Sequence, residues 1–359
     1  MAENIKLLPK QRESNLELFR IITMILIIAH HYVVNSGLMT DEYIYSDLTS
    51  WRSMFLLLFG AWGKTGINCF MMITGYFMCK SQITLKKFVK LLAQIYFYKI
   101  IFYCIFLFTG YTPFSVSGFI KIILPVSSVE HNFTGCFLLF FLCIPFLNIL
   151  IHNMNEKQHI RLIVLMGVIY IFFGTVPTLN VNMNYVSWFS VIYFIASYIR
   201  LYPKKFFENT KLWGILSLIS IILSLSSVIV CSFANQKLGI SVYPFSFVSD
   251  SNTFLAVSTG VTTFMFFKNM KIGYSNIINT ISAATFGVLL IHANSDSMRK
   301  WLWQDFLDNT GMYNSEMLII HAVGSVLIIF IICSLIDILR IRFIEKPFLN
   351  FWDKKFSEQ

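Results

Sequence analysis

The chain has 359 residues, of which 56% are hydrophobic, 17% aromatic and only 13% charged. A soluble domain carries about 25% charged residues, so this composition excludes an ordinary soluble enzyme and, with a mean hydropathy of +0.68, defines an integral membrane protein. The formal net charge of +10 does not call for nucleic acid as a partner, because bases clustered beside a bilayer set topology and contact anionic lipids.

Ten runs are long enough, or nearly so, to cross a hydrocarbon layer of ~30 Å as helices. They cover residues 18–38, 54–79, 88–109, 134–152, 160–178, 185–201, 212–233, 247–267, 277–293 and 317–339, the sixth and ninth being short. The expected fold class is all-α, a polytopic membrane protein with about ten transmembrane helices. Lysine and arginine alternate between rich and poor connections. Lys6, Lys10 and Arg12 precede the first run, and Arg52 stands alone after it. Lys80, Lys86, Lys87 and Lys90 follow the second, with Lys121 alone after the third. The alternation continues to Arg340, Arg342, Lys346, Lys354 and Lys355, with one weak contrast at Arg299 and Lys300. The positive-inside rule then places both termini in the cytoplasm.

The longest connections, 39–53, 110–133 and 294–316, all fall on the outer side. Residues 114–126 are too short to span and are expected to lie in the interface or dip back into the bilayer. In 294–316, Trp301, Trp303, Phe306 and Met312 alternate with charged residues, the pattern of a short interfacial helix. No internal repeat or soluble domain is visible, so 1–359 reads as one transmembrane unit. The polar first fifteen residues lack a small-residue cleavage site, and the first span is expected to be retained. Seven cysteines without a C-x-x-C pair read as small buried hydrophobes.

Arg20 and His31 both lie in the first run. Eleven steps of ~100° make three turns plus about 20°, so both project from one stripe, about 16 Å apart along the axis. His30 falls roughly 80° off that stripe. An ionisable group inside an apolar span is costly, which makes it a functional candidate. A neutral imidazole at position 31 suits a general base for a hydroxyl. A guanidinium at position 20 suits a bidentate grip on phosphate. The competing reading has Arg20 snorkelling to the interface and His31 satisfied in the core.

In the second run, Gly60, Gly63 and Gly66 precede Thr74-Gly75-Tyr76. Such glycines allow close helix approach, or close approach of a ligand to the backbone. Lys64 and Asn68, four residues apart, share a face near its outer end. Lys80, Lys86, Lys87 and Lys90, just inside, have the charge to hold the phosphates of a cofactor such as coenzyme A, or simply to set topology. His292 ends the run Thr285–His292 on the outer side, where an interfacial reading competes with a catalytic one. Glu345 stands before Lys346-Pro347, where a helix stop accounts for it. His131, His152, His159 and His321 show no partner pattern, and no metal, nucleotide or nucleophile-elbow motif occurs.

Taken together, these segments resemble the integral-membrane acyltransferase 3 family of bacterial sugar O-acyltransferases. The matching pieces are Asn15-Leu16-Glu17-Leu18-Phe19-Arg20 with His31 beyond it, and Phe70 to Tyr76. Others are Pro145-Phe146-Leu147-Asn148, Thr285 to His292, and Arg342-Phe343-Ile344-Glu345-Lys346-Pro347-Phe348. The resemblance implies transfer of an acyl group, commonly acetyl from cytoplasmic acetyl-CoA, to a hydroxyl of an envelope or exported glycan at the bacterial cytoplasmic membrane. It makes His31 the catalytic histidine and Arg20 its partner, with Arg20, Lys80, Lys86, Lys87 and Lys90 toward the donor. Lys64, Asn68, Tyr76 and His292 are then substrate-side candidates. No metal is implied. The sequence departs from the family's usual Ser-Gly-Phe at Thr74-Gly75-Tyr76 and carries Phe133 where a tryptophan is usual. Asp41, Glu42 and Asp47 compete for an acidic position in the first outer loop. The rival reading is a transporter of glycans or lipid-linked sugars, since intramembrane Arg and His fit a substrate path as well.

Overall fold

A computed structural model describes residues 12–124, 126, 132–176, 178–179 and 181–356; Lys6, Lys10 and His131 lie outside the described residues. Short polar side chains stand before most of the helices and take up their first free amide groups. Ser50 accepts from Ser53 ahead of α2 (Trp51–Gly60), which follows α1 (Ser14–Val34) and leads to α3 (Gly63–Met78). Thr84 caps α4 (Leu85–Phe108), Ser115 caps α5 (Val116–Ile123) and Asn132 caps α6 (Phe133–Asn153). Asn155 and Gln158 form a reciprocal capping box at the start of α7 (Glu156–Thr175). Asn184 opens α8 (Tyr185–Leu201) and Asn209 opens α9 (Thr210–Leu238), which ends at Gly239 with φ +65°. Next come α10 (Phe254–Asn269), α11 (Asn276–Ala283), α12 (Thr285–His292) and α13 (Asp296–Phe306). The chain closes with α14 (Leu318–Arg340), a wide turn at Ile341–Glu345, and α15 (Lys346–Phe356). Among the described residues there is no strand.

Each of the ten predicted runs contains helix, but fewer than ten pass as spans by length. Among the described residues, seven helices are long and apolar enough to cross a membrane, or eight if Asn276–His292 and Asp296–Phe306, bent by 93°, count as one. The remaining two, α8 and α10, have 17 and 16 residues. The eighth run is shorter than predicted because residues 244–253, rich in Ser, Asp, Asn and Thr, form turns before Phe254. The expected short helix in 294–316 is α13. The segment at 114–126 holds α5, none of whose residues is buried.

The centre of the bundle is α1, which packs against α2, α3, α10, α11, α12 and α14. Gly60, Gly63 and Gly66 let α2 and α3 approach it closely. A Cβ on Gly60 would sit 2.9 Å from Val33, one on Gly66 2.6 Å from Ile27, and one on Gly63 would collide with the His30 ring. The glycine series therefore serves helix packing. Burial follows this arrangement: 67% of the apolar window in α2–α3 is buried, against 6% in α7 at the periphery. None of the seven cysteines forms a disulfide, and five of them are buried.

One end of the bundle is fastened by a buried ionic network. Asp337 is fully enclosed; it accepts from the Tyr98 hydroxyl at 2.7 Å and from Arg340 Nε at 2.6 Å. Arg340 also donates to Glu345 at 2.9 Å, and Lys90 pairs with Glu345 at 2.6 Å. Glu345 is thus an ion-pair residue, and the expected helix stop at this point is corrected. The chain widens for one turn and then runs on as α15, with Pro347 at its second residue.

Candidate active site

Toward the C-terminal end of α1, His31 meets His292, the last residue of α12. The distance from His31 Nδ1 to His292 Nε2 is 3.0 Å, with ring centroids 5.1 Å apart. His292 is fully enclosed, and its Nδ1 lies 2.6 Å from the Val288 carbonyl one turn earlier. The ring edge of His292 also faces Trp303 of α13, at 6.5 Å. His31 is only half-buried. His30, beside it, points to the α2–α3 break, where its Nδ1 donates to the Gly60 carbonyl at 2.6 Å. Lys64 and Arg299 lie within electrostatic reach of His31. Lys64 donates to the Tyr185 hydroxyl at 2.8 Å, while Arg299 is paired with Asp296. Among the described residues no group of three His, Cys, Asp or Glu side chains is arranged to hold a metal ion.

Arg20 occupies the other end of the same stripe. Its guanidinium is 3.7 Å from Glu17, and its buried Nε has no hydrogen-bond partner among the described residues. The surrounding residues fix the end of α1. Asn15 donates to the carbonyls of Phe267 and Lys268 at 3.0 and 2.9 Å, Ser14 donates to Asn279 at 3.1 Å, and Ser282 donates to Glu17. The helix between is unbroken, so Arg20 and His31 stand about 16 Å apart along its axis. Thr23, Met24 and Ile27, between them on α1, are 1%, 1% and 6% exposed. The structure puts the two residues on one stripe without bringing them together.

The remaining predicted residues divide by their partners. Lys86 is paired with Asp353 at 2.6 Å and Lys90 with Glu345, while Lys87 donates to Ser81 and to the Gln82 carbonyl. Lys80 is exposed. Asn68 is fully buried; it donates to the Ser251 carbonyl at 2.7 Å and accepts from the Trp188 indole at 2.9 Å. It ties α3 to α8 and to the turn before α10. Tyr76 is 7% exposed and accepts from Arg200 at 2.6 Å, beneath that guanidinium. Sequence reasoning missed Tyr185, Arg200 and Asp337 as partners. Tyr185 meets Lys64, Arg200 meets Tyr76 and Asp337 meets Tyr98 across more than a hundred positions of chain, which no local spacing signals; only the Asp337–Arg340 pair has a local i,i+3 spacing.

The fold and the site define a polytopic membrane protein with paired imidazoles at one depth of the bundle and an underemployed arginine at another. The chain belongs to a family of acyltransferases, since a family model described as an acyltransferase domain matches residues 13–338. It is a membrane acyltransferase, in agreement with the resemblance carried by the Arg20 and His31 segment. Comparisons with curated proteins and with solved structures returned no match.

Proposed function

We propose that this membrane acyltransferase moves an acetyl group from cytoplasmic acetyl-CoA to a hydroxyl of an envelope or exported polysaccharide sugar. In this reading it sits in the bacterial cytoplasmic membrane with both termini inside, which the alternation of basic connections favours. The observation that carries the reading is His31: a half-buried imidazole in an apolar helix, hydrogen-bonded among the described residues on one side only, in a chain of an acyltransferase family. His31 takes the proton of the attacking hydroxyl as its oxygen bonds to the thioester carbonyl carbon. The carbon–sulfur bond then breaks, and the proton passes to the departing thiolate to give the free thiol.

On the donor side, the partnerless Nε of Arg20 supports contact with a phosphate oxygen. Exposed Lys80 adds charge there. Lys86 and Lys90 already hold carboxylates, so a phosphate would have to displace Asp353 or Glu345. The separation of about 16 Å along α1 is comparable to the reach of a pantetheine arm. Packing at Thr23, Met24 and Ile27 means that the arm follows another helix face or parts that contact. On the acceptor side, Lys64 beside Tyr185 supports sugar binding near His31.

The test is acetyl-CoA consumption by purified protein, together with acetylation of surface glycans in cells that carry His31→Ala. Loss of both, at normal protein levels and with an unchanged melting transition, supports the assignment. Undiminished acetylation removes His31 from catalysis. A wild-type protein that neither binds nor consumes acetyl-CoA would favour the transport reading, against which the family assignment already weighs.

A further inference from the structure

His292 has a role that follows from donor and acceptor counting. A backbone carbonyl can only accept, so the 2.6 Å contact between His292 Nδ1 and Val288 O requires a proton on that nitrogen. In the neutral ring, His292 Nε2 is then a bare acceptor. That nitrogen faces His31 Nδ1 at 3.0 Å. The contact needs one proton, and in the neutral pair only His31 can supply it. We infer that His292 is a positioning residue that holds the proton of His31 on Nδ1 and so leaves His31 Nε2 unprotonated, the nitrogen able to accept the acceptor hydroxyl's proton. This inference rests on the reading of His31 as the base.

The surroundings fit this role better than simple filling of a core. His292 is fully enclosed while His31 is half-buried, so the two rings form an inner support and an outer reactive group. The support is itself held, because Val288 lies one turn back on the same helix and the Trp303 ring stands edge-on at 84°. His30 cannot take over. Its Nδ1 is committed to the Gly60 carbonyl, and its ring centroid is 5.8 Å from that of His31. Burial of a lone histidine would not explain why its one free nitrogen is aimed at a second imidazole across 261 positions of chain.

The experiment combines nitrogen-15 histidine spectroscopy on the purified protein with kinetics of three variants. His31→Gln assigns the His31 signal. In the wild type, His31 should be protonated at Nδ1. His292→Phe keeps the ring volume and removes the acceptor; kcat should fall about 100-fold, within the range of general acid–base contributions, while the donor KM stays within about twofold, as expected for a loss confined to the transition state. The Nδ1 preference of His31 should vanish in that variant. His292→Gln, whose amide oxygen reaches the place of Nε2, should recover most of kcat. A wild-type His31 protonated at Nε2 would overturn the inference, as would full kcat in His292→Phe or equal losses in the Phe and Gln variants. If His292→Phe does not fold, the wild-type spectrum and the Gln variant still decide. Full activity in His31→Gln would instead remove the base assignment itself, and the tautomer is read independently of that result.

Discussion

Gly287 of α12 lies against Asp337 of α14 so closely that a Cβ on the glycine would collide with the carboxyl carbon. The carboxylate has nowhere to go, because Tyr98 and Arg340 hold it from the other sides. Gly287→Ala therefore forces either a separation of the two helices or the rupture of a buried charge cluster. Overpacking alone costs about 1–3 kcal/mol, and breaking a buried pair about 3–5 kcal/mol. Thermal unfolding in detergent should show a drop in Tm of several degrees or failure to accumulate. A wild-type Tm would mean that α12 and α14 are not rigidly joined.

Lys90 offers a choice between two roles that measurement can separate. Its pairing with Glu345 predicts that Lys90→Met lowers stability by about 1 kcal/mol, in the range of partly exposed ion pairs. The KM for acetyl-CoA should hardly change. A raised KM with unaltered Tm would return Lys90 to the donor site.

Arg20 should behave in the opposite way. Hydrogen bonds to charged groups contribute about 1.5–3 kcal/mol, so Arg20→Ala should raise the donor KM by about tenfold or more. Arg20→Lys should recover only part of this, since an ammonium lacks the planar fork. Equilibrium binding of acetyl-CoA to both variants checks the effect, and unchanged affinity would remove Arg20 from the donor path.

Asn68 ties three parts of the bundle together through Ser251 and Trp188. Asn68→Ala leaves a buried carbonyl and an indole N–H without partners, each loss costing about 1–3 kcal/mol. The expected signature is a lower Tm with acceptor KM unchanged. A selective rise in acceptor KM would restore it as a substrate contact.

At the break between α2 and α3, Gly63→Ala should drive into His30 and so disturb the neighbour of His31. Its Tm and kcat should both fall. Adding His30→Ala in the same chain opens the space again, so the double variant should regain the Tm of His30→Ala alone. Additive losses would show that the collision is not with the imidazole.

Composition and apolar periodicity were enough to read an all-helical membrane protein, because burying backbone in lipid leaves few alternatives to helices. Most predicted spans coincide with helices to within a few residues, where capping residues such as Thr84 and Asn209 mark their starts. The run at 247–267 came out too long because hydropathy averages over turn-forming residues such as Asp250, Ser251 and Asn252. Arg20 and His31 were legible for a local reason: helical spacing along one chain segment fixes a shared stripe. The glycine series was legible only as a choice between packing and ligand approach, which the position of α1 settled.

Read along the chain alone, the residues establish that it lives in a bilayer, that its elements are helices, and that α1 carries an arginine and a histidine on one stripe. These follow from the apolar content and the 3.6-residue turn, which act along the chain. It takes the packed bundle to establish that His292 stands behind His31, that Glu345 and Asp337 share Arg340 beside Lys90 and Tyr98, and that Asn68 is a tie between helices. Such contacts depend on which helix faces meet when the bundle packs, and the pattern within any single helix carries no record of its neighbour.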